Sequence, residues 1–501
     1  MGKESAIIGF RNFGLIQDAT IELSKLDIFV GKNVTGKSYA AMLIYAILNV
    51  FGSGRPVIYR GLPFRVSGRS QSIVSEEVRK EFAELVKTLL DNYTKGDSRL
   101  VTNNDLLEIP FSLLTSKEMD IVENMVKGII VAKGNMLSPE VSRCFGAEMP
   151  TLVRAGCDPN ELSISLRQDS PSLDILFTFD GTTFQTDIKS IDIRALKIEI
   201  PRIPYSRPGR PNLKEKSAVV RFATDMALDV LAPKVFKFAH RGVVYLPAAR
   251  SGIIQAQRAI ASTMVEMAPL AGLREVEIPA LAGTISDFLS GLFLMRDFPV
   301  KKSKFSASLI LEEEILGGHV SLQTRGERIP NIAFESTGQS YPIYLASSMV
   351  SELAPLVLFL RNQVHSGDIV IIEEPEAHLH PGAQVALAKV IARMIRENLN
   401  LVITTHSEFL ITELNNYIRR GAMEPDQRKL AGYFEHDFIE PDEVRGYLFD
   451  TIELGKKVNV KRLQVTPEEG IPADEIDRVS LALHEDFTKT YNLLLERDGR
   501  V

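Results

Sequence analysis

The sequence predicts an α/β fold: a mixed sheet with flanking helices, interrupted by an α+β insertion and followed by a small C-terminal α/β extension. Three observations predict it. A short apolar run, Leu26 to Val30, leads through the octapeptide Gly31-Lys32-Asn33-Val34-Thr35-Gly36-Lys37-Ser38 into an Ala/Leu/Ile-rich run of helical length, Tyr39 to Phe51. Farther along, Asp368 to Ile372 and Leu401 to Thr405 are continuous apolar or β-branched runs, the mark of central parallel strands covered on both faces. Between these parts the period changes from helical, over Ser75 to Tyr93 and Lys117 to Ala132, to alternating, over Glu161 to Arg167, Ser172 to Phe179 and Thr183 to Ile188.

In chain order, Ala6 to Phe10 and Ala19 to Leu23 open as short strands before the strand Leu26 to Val30. The octapeptide fits G-x-x-x-x-G-K-[ST], in which backbone N–H groups of the loop and of the following helix surround phosphates. A chance glycine-rich turn fits the same string, but not the strand before it and the helix after it. Asn33 and Gly36 are expected at the nucleotide, Lys37 at its β- and γ-phosphates, and the Ser38 hydroxyl on Mg²⁺. The alternating segments of the insertion read as a small antiparallel sheet with a hairpin at Asp180-Gly181, and Pro201 to Pro211 reads as a Pro/Arg-rich loop. The helices are of ordinary length, so no coiled-coil arms are expected. The core resumes at Gly242 to Leu246, which runs into Pro247-Ala248-Ala249-Arg250-Ser251-Gly252. After residue 420 come Asp442 to Asp450, a strand near Val458 to Val465, and an amphipathic helix from Ile476 to Leu495. The expected division is 1–50 and 241–420 for the core, 51–240 for the insertion and 421–501 for the extension.

The chemistry-bearing residues lie at strand ends. Glu373 and Glu374 follow the run Ile369 to Ile372 at the C-terminal edge of a buried strand, where α/β proteins place ligands. Adjacent strand residues face opposite ways, so the pair divides its work: Glu373 to the Mg²⁺ shell, Glu374 to polarising the attacking water. His406, after Leu401 to Thr405, is placed to hydrogen-bond a γ-phosphate oxygen or to be a structural histidine. Glu335-Ser336-Thr337-Gly338-Gln339-Ser340 precedes a helical run, Tyr341 to Phe359, and reads as an anion-binding helix start or a simple N-cap. Glu376, His378 and His380 suggest a metal site by composition, or a loop shaped by histidines.

Composition excludes several classes. With 45% hydrophobic and 24% charged residues the chain is neither disordered nor fibrous. Lys plus Arg number 58 against 64 Asp plus Glu, a net charge of −6, so no global basic field recruits nucleic acid. Cys144 and Cys157 make neither a disulfide framework nor a zinc pattern. The longest apolar stretch, near Ala354 to Leu360, is too short for a bilayer, and Met1 to Ser5 has no apolar signal core. A cytoplasmic protein with no membrane partner is expected.

In this order, Gly31 to Ser38 (Walker A), Glu335 to Gln339 (a degenerate LSGGQ signature), Ile369 to Glu374 (Walker B) and His406 (switch histidine) resemble an ABC-type ATPase. More narrowly, Glu373-Glu374-Pro375-Glu376-Ala377-His378-Leu379-His380-Pro381 resembles the E-E-P-E-x-H-L-H-P string of stand-alone ATPases of the OLD (overcoming lysogenization defect) type. It is also similar to that of their AAA-family and SMC-like relatives. Phe10 to Gly14 and Tyr245 to Gly252 fit the same group, so the likeness covers residues 1–50 and 241–420. The resemblance implies a P-loop ABC-type ATPase core, ATP and Mg²⁺ as cofactors, and a homodimer paired head to tail. Ser336, Gly338 and Gln339 of one copy would close over ATP held by the other, so that ATP shifts the dimer equilibrium and hydrolysis releases it.

The sequence departs from that pattern at Glu335 and Thr337, and at Ala248, near which the group carries a Gln. Arg250 then stands in as a phosphate sensor or is an exposed loop arginine. The residues after 420 lack the clustered acids of a TOPRIM nuclease. The implied role is therefore the sensor or regulatory ATPase of an antiphage defence or toxin-like system, controlling a separate effector. Two rivals are a DNA repair or recombination ATPase, with nucleic acid held by loops at Arg55 to Arg69 and Arg202 to Arg210, and an ATP-binding scaffold with negligible turnover.

Overall fold

A computed structural model describes residues 6–52, 74–95, 97–103, 106–201, 216–239, 241–256, 281–293, 295, 305–323, 331–452, 457–472 and 474–497. Strands β1 (Ala6–Phe13) and β2 (Ile16–Leu23) form a hairpin, and β3 (Leu26–Gly31) leads through the octapeptide into α1 (Lys37–Phe51). The next segment contains α2 (Glu76–Thr94), β4 (Val101–Asn103), β5 (Leu106–Pro110), α3 (Ser116–Asn135), α4 (Leu137–Phe145), β6 (Ser163–Gln168), β7 (Ser172–Phe179), β8 (Phe184–Asp192), β9 (Lys197–Pro201) and α5 (Lys216–Val235). The start of α3 is fixed by a capping box, in which Thr115 and Glu118 satisfy each other's backbone N–H.

The chain continues with β10 (Val243–Leu246), α6 (Gly283–Phe293) and α7 (Ser306–Ile310), which runs into a π-helical turn over Leu311–Leu316. Then come β11 (His319–Gln323), β12 (Asn331–Ser336), β13 (Gln339–Pro342), α8 (Ser348–Asn362), β14 (Ile369–Glu373), α9 (Pro381–Arg396), β15 (Asn400–Thr404) and α10 (Glu408–Ala422). Helix α11 (Pro425–Leu430), strands β16 (Val444–Ile452) and β17 (Lys457–Leu463), and helix α12 (Asp474–Arg497) complete the described chain. None of its described helices is long and apolar enough to cross a membrane.

Eleven strands form one mixed sheet in the order β10-β14-β15-β3-β16-β17-β2-β1-β6-β7-β8. The five from β10 to β16 run parallel, and the far end, from β2 to β8, is antiparallel. Two expectations change here. The alternating strands β6 to β8 are antiparallel, but they are no separate sheet: β6 pairs with β1, Ala6 opposite Gln168, and so continues the core. The C-terminal segment does not merely extend the core, because β16 lies beside β3, with Val444 opposite Leu26 and Phe449 opposite Gly31. Gly31 is required by that contact. Its φ is 143°, and a Cβ there would lie 2.4 Å from the Phe449 carbonyl oxygen.

The central strands divide two apolar cores by their two-residue period. Phe29, Tyr245, Ile371 and Val402 face the core that contains α1, whereas Ile28, Val244, Val370 and Ile403 face the one that contains α8 and α9. All these residues are buried, which accounts for the unbroken apolar runs of β14 and β15. Glu373 and Glu374 emerge where this two-sided core ends.

Candidate functional site

Positive φ angles at Gly31, Val34 (63°) and Gly36 (86°) curl the octapeptide, a backbone form that turns N–H groups toward a common anion. Gly36 is the N-cap of α1 and supplies no side-chain acceptor, so the helix's first N–H groups suit an anionic ligand. Lys37 is only 5% exposed, and its ammonium donates to the carbonyls of Gly31 and Lys32 at 2.9 and 2.8 Å. Burial pushes its pKa down to about 8, opposed by the charges of Glu374 and Glu376. The Thr35 hydroxyl donates to the Lys32 carbonyl at 2.8 Å, while Asn33 and Val34 are exposed at the rim.

Strand β14 delivers the carboxylates opposite this loop. Glu373 is buried and accepts the phenol proton of Tyr245 on neighbouring β10, and the Ser38 hydroxyl lies near enough to favour its charged form. Burial raises its pKa. Ser38 and Glu373 thus bring hard oxygen donors together beside the loop, with a carboxylate whose charge a cation would relieve, and this set fits Mg²⁺. Glu374 points elsewhere. Its φ is 41°, its N–H donates to the Thr404 carbonyl at 2.9 Å, and its side chain is 41% exposed. His406 Nε2 lies 3.8 Å from Glu374 Oε1. Burial, and then the Lys37 charge, lower the imidazole pKa, so His406 is neutral at pH 7.

Glu376 holds this corner in shape. Its Oε1 accepts from the Thr405 hydroxyl and from the His406 N–H, both at 2.7 Å, and burial raises its pKa. The metal alternative for Glu376, His378 and His380 is not met: among the described residues no group of three or more His, Cys, Asp or Glu is placed to hold a metal. His380 instead caps α9, its Nδ1 accepting from the Gly382 N–H at 3.2 Å.

The local setting of two expected site positions is corrected. Ser336, Gly338 and Gln339 do not start a helix; they form the tip of the β12–β13 hairpin, with Ser336 paired to Gln339. Thr337 (φ 53°) and Gly338 (φ 77°) are its two central residues, the left-handed pair that a tight hairpin requires. The Ser336 hydroxyl donates to the Gly317 carbonyl at 2.9 Å. The helix start comes later, at α8, where Ser347 caps the Val350 N–H. Arg250 is neither an exposed loop arginine nor directed at the phosphate loop. It is 1% exposed, ion-paired with Glu352 of α8 at 2.8 Å, and it donates to the carbonyls of Pro247, Glu373 and Glu374. The arginine loops at 55–69 and 202–210 lie outside the described residues.

Sequence reasoning missed Tyr245, Thr404 and Glu352. Each carried a faint signal: a phenol in the apolar strand β10, a hydroxyl at the end of β15, and one acid within the apolar face of α8.

Residues 288–411 match the family described as AAA ATPase domain. This part of the chain is similar to an ATPase domain. It contains Glu373, Glu374 and His406, and the pairing of β3 with β15 brings the phosphate loop, outside the matched range, to the same edge. No curated protein matches the sequence. Among solved structures, the SMC head domain from Thermotoga maritima is 9% identical, with a TM-score of 0.35 over 92% of this chain and 99% of that one. The SMC head bound to the C-winged helix domain of ScpA is 11% identical, with a TM-score of 0.39 over 91% and 97%. The Smc head domain with an extended coiled coil bound to the C-terminal domain of ScpA from Pyrococcus furiosus is 11% identical, with a TM-score of 0.38 over 96% and 98%.

Proposed function

We propose that the ATPase works as a conformational switch, in which ATP held by one copy is closed over by a second copy of the chain. The observation that carries this reading is the uneven cover of the site. Lys37 is buried at 5% exposure, while Glu374 and His406 stand 41% and 30% exposed and need a second surface to exclude water. A surface of suitable character surrounds the start of α8, where Tyr341, Tyr344 and Leu345 are exposed apolar side chains beside the Ser347 cap.

In the mechanism, the loop and the N-terminus of α1, with Asn33 and Gly36, bind the phosphates. Lys37 leaves the Gly31 and Lys32 carbonyls for the β- and γ-phosphates. Ser38 and Glu373 would hold Mg²⁺, which supplies charge neutralisation for the phosphates. Glu374 orients and deprotonates the attacking water, and His406 donates to a γ-phosphate oxygen. Because γ-phosphate contacts form only when closed, ATP favours closure and hydrolysis reverses it. A separate effector protein is the output we propose, with the antiphage setting resting on the resemblance to OLD-type ATPases.

The test is the solution mass of wild-type and Glu374→Gln protein, each with and without Mg-ATP. A dimer formed with ATP and accumulating in Glu374→Gln supports the switch. A mass indifferent to ATP, with hydrolysis intact, overturns it.

A further inference from the structure

The buried pair of Arg250 and Glu352, 1% and 0% exposed, lies behind the nucleotide site and has no part in the steps above. Such a pair adds little net stability over apolar residues of the same volume, so stability alone explains it poorly. Its contacts point to another role. Arg250 Nη1 donates to the Glu373 carbonyl at 2.6 Å and to the Pro247 carbonyl at 2.9 Å, and Nη2 donates to the Glu374 carbonyl at 3.2 Å. On the other side, Nε donates to the Glu352 carbonyl at 3.1 Å. The Glu352 carboxylate accepts from the backbone N–H groups of Arg250 and Ser251 at 3.3 and 2.9 Å.

The peptide gripped in this way is the unusual one. Glu374 at φ 41° occupies the left-handed region, which a side-chain-bearing residue keeps only when its surroundings hold it there. Glu352 is in the second turn of α8, whose capping residue Ser347 is exposed. One buried pair therefore joins a helix that begins at the surface to the peptide that aims the candidate base.

We propose that Arg250 and Glu352 are positioning residues for hydrolysis: they carry the seating of α8 to Glu374, so that its carboxylate is aimed at the attacking water only when α8 is in place. This rests on the reading of Glu374 as the base. The test uses full-length protein carrying Arg250→Met with Glu352→Leu, which removes both charges at similar volume, and the milder Arg250→Lys and Glu352→Gln. ATP affinity is followed with a fluorescent ATP analogue and folding by circular dichroism.

The expected result is a folded double variant that binds the analogue like wild type but has kcat lowered about a hundredfold, the scale of a slight misplacement of a catalytic group. Adding Glu374→Gln should then cost no more than Glu374→Gln does alone, because both changes disable one unit. Arg250→Lys should recover part of kcat. Wild-type kcat in the folded double variant, or losses that multiply fully with Glu374→Gln, would overturn the proposal. Should the double variant not fold, the same multiplication test on Arg250→Lys and Glu352→Gln decides it. If Glu374→Gln leaves hydrolysis intact while Lys37→Ala abolishes it, the assignment of the base fails and not the coupling alone.

Discussion

The phosphate loop and the acidic strand end face each other across one site but are held in opposite ways. The loop holds itself: Lys37 and Thr35 bond to carbonyls of residues 31 and 32, and its curvature comes from its own positive φ angles. The strand end is held by others: Tyr245 from β10, Thr404 from β15 and Thr405 just after it, Arg250 from the turn after β10, and through it Glu352 from α8. A local device can grip phosphate wherever the strand and helix around it fold. A device assembled from distant segments responds to how those segments are seated. Nucleotide binding and hydrolysis should therefore be separable in this protein, and substitutions on the two sides should divide accordingly.

The sharpest division comes from Glu374→Gln, which should lower kcat by about 10²- to 10⁴-fold with ATP affinity kept, as measured by phosphate release beside equilibrium binding. Equal loss of both would erase the contrast. Next is Glu352→Ala. It leaves the Arg250 guanidinium buried without its counter-charge and should cost about 3–5 kcal/mol of unfolding free energy in denaturant melts. An effect below about 1 kcal/mol, the range of an exposed ion pair, would mean the strand end is held otherwise.

The loop should show itself through pH. Burial holds the Lys37 pKa down at about 8, and the proposed phosphate contact needs it protonated. ATP affinity should be level below that pH and weaken above it by about 1.4 kcal/mol per pH unit, read by calorimetry as proton uptake on binding. The sign for stability is opposite. With the folded pKa below the ordinary 10.5, the unfolded chain binds more protons between about 8 and 10.5, so the nucleotide-free protein gains stability as pH rises through that window. The smallest effect belongs to Gly338→Ala at φ 77°, with open space around the new Cβ: about 1 kcal/mol of stability and no change in ATP affinity. A large loss of affinity there would return the hairpin tip to the nucleotide site.

The same contrast explains what could be read from the sequence. The loop, β3, α1, β14 and β15 were legible because each announces itself within a few residues. Thr337-Gly338 was not, since a small polar residue before glycine suits a cap or a turn equally, and only the pairing of β12 with β11 and β13 selects the turn. Arg250 resembled a loop residue until Glu352, in another apolar segment, supplied its counter-charge. The place of β16 is a matter of topology, and no local pattern encodes which strand a strand will neighbour.

That neighbour also sets a timetable. Among the described residues the sheet neighbours of β3 are β15 and β16, paired at residues 401–404 and 444–449, so the strand that carries the phosphate loop lacks these partners while the intervening chain is made. At about 5–20 residues per second, roughly four hundred residues take about 20–80 s. For that interval the apolar strand Leu26–Gly31 emerges from the ribosome with both edges open, a template for misplaced pairing. Completion of the nucleotide site thus waits for residues 400–449, and a ribosome that stalls before β15 leaves β3 with its phosphate-loop motif and neither neighbouring strand.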